Sequence, residues 1–167
     1  MKNFFFQKEN SGFTLLEVLT SVFVLVITSL TIFSLLSASI FSLSSLKDRF
    51  VAFYLAQEGI EIVKNIRDSN FLQGASWLSG IGTGDKQGDY SSTSLSPYSD
   101  TYLKQNSSGF FQYGSGSDTT LSDTKFKRKI NVTPIDANRV RVTVEVSWME
   151  KGRPQSFTLV EEITNWY

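Results

Sequence analysis

Residue types that usually carry chemistry are scarce in this chain. It has no histidine and no cysteine, which removes the commonest general base, the commonest metal ligand, the thiolate nucleophile and any disulfide. Serine is abundant, but no base is visible that would activate one as a nucleophile. Glu161 and Glu162 are neighbours in a strand-like run and point to opposite faces, so they do not make a paired acid and base. Asp85 and Asp89, in GTGDKQGDY, have some of the spacing of a calcium loop without its full ligand set, and a solvated turn is the expected reading. Lys125, Lys127, Arg128 and Lys129 form a basic cluster, expected as the wet face and end of a strand rather than a nucleic-acid site. An enzyme, a bound metal and a cofactor are therefore not expected. The charge that asks for an explanation is Glu17, a carboxylate at the threshold of an apolar run. Comparable charges cost roughly 2.5–3.5 kcal/mol at the centre of a membrane helix and less near an end, so Glu17 needs a cation or water.

The element that must position Glu17 is that run. Val18 to Leu46 is 29 residues without a formal charge, rich in Leu, Ile, Val and Phe and interleaved with Ser and Thr. About 20 residues suffice to cross a bilayer as a helix, so the segment spans with length to spare. A cleaved secretory signal fits poorly, because its apolar region covers only roughly 7 to 15 residues before a small-x-small site. Ser37-Ala38-Ser39 follows a much longer run. Lys2 and Lys8 against Glu9 hold the leading segment on the cytoplasmic side, which places the chain after Leu46 outside the cytoplasm.

Gly12, Phe13, Thr14, Leu15, Leu16 and Glu17, followed by the long apolar run, resemble the class III signal of type IV pilins and type II secretion pseudopilins. The resemblance implies that a membrane-embedded prepilin peptidase cuts between Gly12 and Phe13 and that Phe13 becomes the N-methylated amino terminus. Gly12 suits such a cut, since a residue without a side chain lets the bond enter a narrow protease site in an extended shape. The resemblance further implies that Glu17 meets the new α-amine of a neighbouring subunit as helices bundle in a filament. Thr14-x-x-Glu17 is also a capping box at a helix start, and near the interface Glu17 can be solvated. The two readings of Glu17 are compatible. Many major pilins carry a proline about twenty residues into the mature helix; here no proline precedes Pro97, and Ser29, Ser34, Ser37 and Ser39 are not expected to break the helix.

Beyond the membrane the helix is expected to continue. Ala52, Leu55, Gly59, Ile62 and Ile66 recur at three- and four-residue steps, widened by Ile60 and Val63, while Lys47, Asp48, Glu58, Glu61, Lys64, Arg67 and Asp68 mark the other side. Residues 70–122 hold eight of the eleven glycines and twelve serines, the composition of a long loop region. Its expected pins are Trp77, Tyr90, Tyr98, Tyr102, Phe110, Phe111 and Tyr113. The last third alternates. Phe126, Arg128, Ile130 and Val132 begin a strand, Val140, Val142, Val144, Val146 and Trp148 keep period two, and Phe157 to Ile163 closes an antiparallel meander. One apolar face needs a cover, and the stripe around Leu55, Ile62 and Ile66 supplies it. The fold class expected is α+β, a long amino-terminal helix, membrane-spanning in its first half, packed on a three-to-four-stranded antiparallel sheet. The resemblance makes this the pilin fold.

The organisation read from the chain is a leader at 1–12, a transmembrane and assembly helix at 13–46, an amphipathic second half at 47–69, a Gly/Ser-rich loop at 70–122 and the sheet at 123–167. The ending VRVTVEVSWMEKGRPQSFTLVEEITNWY resembles the closing strands of PilV/GspI-type minor pilins. The resemblance thus implies a minor pilin or pseudopilin, first a single-pass protein of the bacterial cytoplasmic (inner) membrane and then part of an extracellular or periplasmic filament. The partners it implies are prepilin peptidase, other pilin or pseudopilin subunits, the inner-membrane assembly platform and the membrane itself. The alternative from the residues alone is an unprocessed single-pass anchor carrying an extracellular binding domain. Net charge is zero, and local imbalance is mild, with two bases and five acids in residues 70–123 and eight bases and three acids in residues 124–155. Bulk nucleic-acid binding is not implied.

Overall fold

The computed structural model describes residues 12, 14–114 and 121–165. The chain divides into two compact units, one up to Ser44 and one from Ser45 onward. Helix α1, Leu15–Leu72, supplies the regular structure of the first unit among its described residues and continues into the second. Among the described residues eight strands follow, β1 (Gly84–Gln87), β2 (Ser96–Pro97), β3 (Lys104–Gln105), β4 (Phe111–Gln112), β5 (Ser122–Asp123), β6 (Phe126–Asp136), β7 (Arg139–Glu150) and β8 (Arg153–Thr164). The class is α+β with antiparallel pairing throughout.

In the first unit α1 is apolar around its whole circumference. An 18-residue window reaches a mean hydropathy of 2.3 with none of it buried, which makes α1 long and apolar enough to cross a membrane. Its interspersed hydroxyls do not interrupt it. Ser29 donates to Leu25 O at 2.8 Å, Thr31 to Ile27 O at 2.9 Å, Ser37 to Phe33 O at 2.9 Å and Ser39 to Leu35 O at 2.9 Å. Each of these four hydroxyls finds its acceptor on its own helix and so demands no water from the surroundings.

In the second unit the 45–72 part of α1 covers the sheet. Ala52, Leu55, Ala56, Gly59, Ile60, Ile62, Val63 and Ile66 are buried, the stripe that the three- and four-residue spacing predicts. Facing them are Phe126, Ile130 and Val132 of β6, Val140, Val142, Val144, Val146 and Trp148 of β7, and Ile163 of β8. Gly59 is the point of closest approach, because a Cβ there would stand 2.8 Å from Val144 Cγ1.

The sheet is wider than the alternation predicts. Its order is β2-β1-β6-β7-β8, five strands rather than three or four, and β3, β4 and β5 make a separate small sheet in the order β4-β3-β5. The extra strands come from the loop region. β1 reads Gly-Asp-Lys-Gln and has no apolar alternation; it joins through backbone pairing, with Lys86 opposite Ile130 and Gly84 opposite Val132. The loop pins also differ from expectation. Trp77 is buried and Phe111 and Tyr113 pack against the core, as expected, but Tyr90, Tyr102 and Phe110 are exposed, and the aliphatic Ile81, Leu95 and Leu103 are buried pins as well. β7 and β8 are joined by a two-residue hairpin in which Lys151 and Gly152 have φ of 49° and 75°. Both central residues at positive φ define a type I′ turn, the form that matches strand twist.

Candidate functional site

The candidate site is the start of α1. Gly12 is exposed, and among the described residues nothing beyond its chain neighbours lies within 4 Å of where a Cβ would stand. Phe13 lies outside the described residues. Thr14 caps the helix. The amide of Glu17 donates to Thr14 O at 3.0 Å and, more weakly, to Thr14 Oγ1 at 3.3 Å. That is one half of the capping box, the hydroxyl accepting from the third helical amide. The Glu17 side chain is exposed in the first turn and has no ion-pair partner among the described residues. At a helix start its negative charge is favoured by the dipole.

Glu17 does not stand alone on its face. Ser21, Thr28 and Thr31 follow at steps that keep all four within an arc of about 80° on a helix of 3.6 residues per turn. Thr20 and Ser21 turn their hydroxyls back onto Glu17 O at 3.0 and 2.7 Å, and Thr28 turns onto Val24 O. Thr20, Ser21, Val24, Leu25 and Thr28 line a shallow groove. Small hydroxyl residues on one face let another helix approach closely in an apolar medium. The sequence pattern singles out Ser29, Ser34, Ser37 and Ser39 but not Ser21, Thr28 and Thr31, whose common phase with Glu17 shows only on the helix.

The other candidates resolve into structural roles. Asp89 is not a solvated turn residue but a buried hub. Its Oδ1 accepts from Ser91 N at 3.1 Å, Ser91 Oγ at 2.7 Å and Ser92 Oγ at 3.1 Å, and its Oδ2 accepts from Tyr113 N at 3.0 Å. Burial pushes this carboxyl up, but the donors of Tyr113, Ser91 and Ser92 outweigh it and hold it below the usual range. Asp85 instead accepts from Asn131 Nδ2 at 2.6 Å. Among the described residues no group of three or more acidic side chains is placed to hold a metal ion.

The basic cluster splits by parity. Lys127 pairs with Asp100 at 2.9 Å and Lys129 with Glu145 at 2.9 Å at the outer surface, while the half-exposed Lys125 reaches the buried Asp48 of α1. Arg128 departs from the wet-face expectation. Its side chain is fully buried, donating to Glu58 Oε2 at 2.9 Å, Leu55 O at 3.1 Å and Gly88 O at 2.6 Å. It ties α1 to the loop and to β6, because alternation turns residue 128 to the same side as Phe126 and Ile130. Glu161 meets Lys64 at 2.8 Å and Glu162 meets Arg141 at 3.0 Å.

What the fold and this site define is an α+β chain with an apolar amino-terminal helix able to cross a membrane and a helix-covered antiparallel sheet. Comparison with protein-family models, with curated proteins and with solved structures gives no match in any of the three.

Proposed function

We propose that this chain is a non-enzymatic filament subunit, a minor pilin or pseudopilin with the pilin fold. It is made as a precursor, cut by prepilin peptidase between Gly12 and Phe13, and N-methylated at Phe13. It sits in the bacterial cytoplasmic membrane with its amino terminus inside and its sheet unit outside, and the assembly platform draws it into a filament with other subunits. The observation that carries the reading is the string Gly12-Phe13-Thr14-Leu15-Leu16-Glu17 set directly against an apolar run that forms an unbroken helix. Support also comes from the exposed apolar circumference of α1, which needs lipid or other helices around it. Glu17 then acts as a registration mark, its carboxylate matched to the amine that the cut creates on a neighbour. Ser21, Thr28 and Thr31 extend the same face.

Intact mass and amino-terminal fragment spectra of the protein, extracted from membranes of a host with active prepilin peptidase, test the reading. A chain beginning at N-methylated Phe13 is expected. A chain beginning at Met1 in that host refutes it and favours the anchored binding domain. Glu17→Val is expected to leave the cut intact and to impair incorporation into filaments.

A further inference from the structure

The five-stranded sheet ends differently on its two sides. One edge is β2, only Ser96–Pro97, where proline removes an amide donor. The other is β8, twelve residues paired along their length with β7 alone. The type I′ turn sets which groups of β8 face outward. It closes on the pair Glu150 and Arg153, so residues in step with Arg153 turn their amides and carbonyls to β7, and the alternate residues turn theirs away. Pro154, first of the outward set, has no amide. After it the outward backbone groups of Ser156, Thr158, Val160 and Glu162 have no hydrogen-bond partner among the described residues.

Edge strands are ordinarily blunted by a charge, a bulge or a covering segment. From Pro154 to Val160 there is no charge, the register with β7 is unbroken, and Val160 is 52% exposed. The charges at the two ends are unequal. Glu161 and Glu162 are engaged by Lys64 and Arg141, whereas Arg153 has no partner among the described residues.

We propose that β8 is a strand-docking edge for an extended segment of a different protein. That segment runs antiparallel to β8, is uncharged and rich in β-branched residues opposite Ser156 to Val160, and ends in a carboxylate that meets Arg153. A second copy fits less well. Two β8 strands centred on Thr158 set Ile163 opposite Arg153, and the copy's glutamates are already engaged. The inference does not rest on the filament reading.

The test uses the full chain in detergent micelles and a synthetic peptide of alternating valine and threonine with a carboxy-terminal glutamate, its α-carboxyl amidated so that the last side chain alone sets the charge. Amide hydrogen exchange is read residue by residue. Ser156, Thr158, Val160 and Glu162 are expected to exchange rapidly in the free chain and to slow by about tenfold when the peptide is about tenfold above its Kd. A peptide ending in lysine is expected to bind about tenfold more weakly. Thr158→Pro removes an outward amide without costing a β7 bond, and is expected to abolish the slowing at the other positions. The proposal is overturned if those amides are already slow in the free chain, if the peptide leaves them unchanged, or if both peptides bind equally. Slowing that rises with the chain's own concentration also overturns it, in favour of a second copy.

Discussion

Replacing Arg128 by methionine should destabilise the Ser45-onward unit by about 3 kcal/mol. The magnitude follows from what each acceptor loses. Leu55 lies inside α1, whose ladder already supplies its carbonyl with an amide, so its loss is small. Glu58 keeps 29% of its side chain exposed and returns partly to water. Gly88 O, at 2.6 Å from the guanidinium, loses a charge-assisted donor in a buried place, a cost of about 1.5–3 kcal/mol. Removing one partner of a buried ion pair costs about 3–5 kcal/mol where the other remains enclosed. Relief from burying a cation whose Nε has no partner offsets part of this. Glu58→Gln should cost only about 1 kcal/mol, and the two changes together should cost less than their sum because they share one contact. Urea unfolding of the full chain in mild detergent, followed by the fluorescence of the core residues Trp77 and Trp148, measures all three variants. Arg128→Met at or above wild-type stability would refute the reasoning, showing that desolvation of the guanidinium outweighs its bonds.

Gly59→Ala should destabilise the same unit by about 1 kcal/mol, overpacking against Val144 exceeding the gain in helix propensity. In a Val144→Ala background the same change should become neutral or stabilising, as read by the same unfolding curves. Asp89→Asn should flatten the acid limb of stability. With the carboxyl lowered in the folded state, its contribution is present above the ordinary Asp range near about 4 and is lost as pH falls through the lowered value. Thermal midpoints of wild type and variant measured across that range check the sign. Gly152→Ala should cost about 1 kcal/mol, since an L side chain at φ 75° is strained, and the loss should appear in denaturant midpoints.

Much of the second unit was legible because burial there follows simple periods. Val140 to Trp148 alternates at two, and the stripe from Ala52 to Ile66 steps at three and four, so both faces of the core could be named before their contact was known. β1 was not legible, because Gly84–Gln87 joins the sheet through main-chain bonds that polar side chains neither help nor signal. Arg128 was misread for an instructive reason. Its charge argued for solvent, while its parity with Phe126 and Ile130 argued for the interior, and bonds to three acceptors on α1 and the loop let parity win. Asp89 carried a local signal in Ser91 and Ser92, which supply the donors that let a carboxylate stay buried. At the start of α1 the capping role of Thr14 was readable from the Thr-x-x-Glu pattern. The shared phase of Glu17, Ser21, Thr28 and Thr31 required the helix to be drawn.

The sheet that covers α1 follows it in the chain, and Arg128 reaches back across 73 residues to Leu55. Synthesis runs from the amino terminus, so the stripe from Ala52 to Ile66 is made well before β6 to β8 exist to cover it. For the whole of that interval the helix exposes its future core to whatever surrounds it. The three long strands, joined by tight hairpins, can pair among themselves as soon as they emerge, but their inner face stays bare until they meet the waiting helix. Biogenesis of this chain is therefore a timing problem, in which residues 52–66 wait without their cover until the last 40 or so residues arrive.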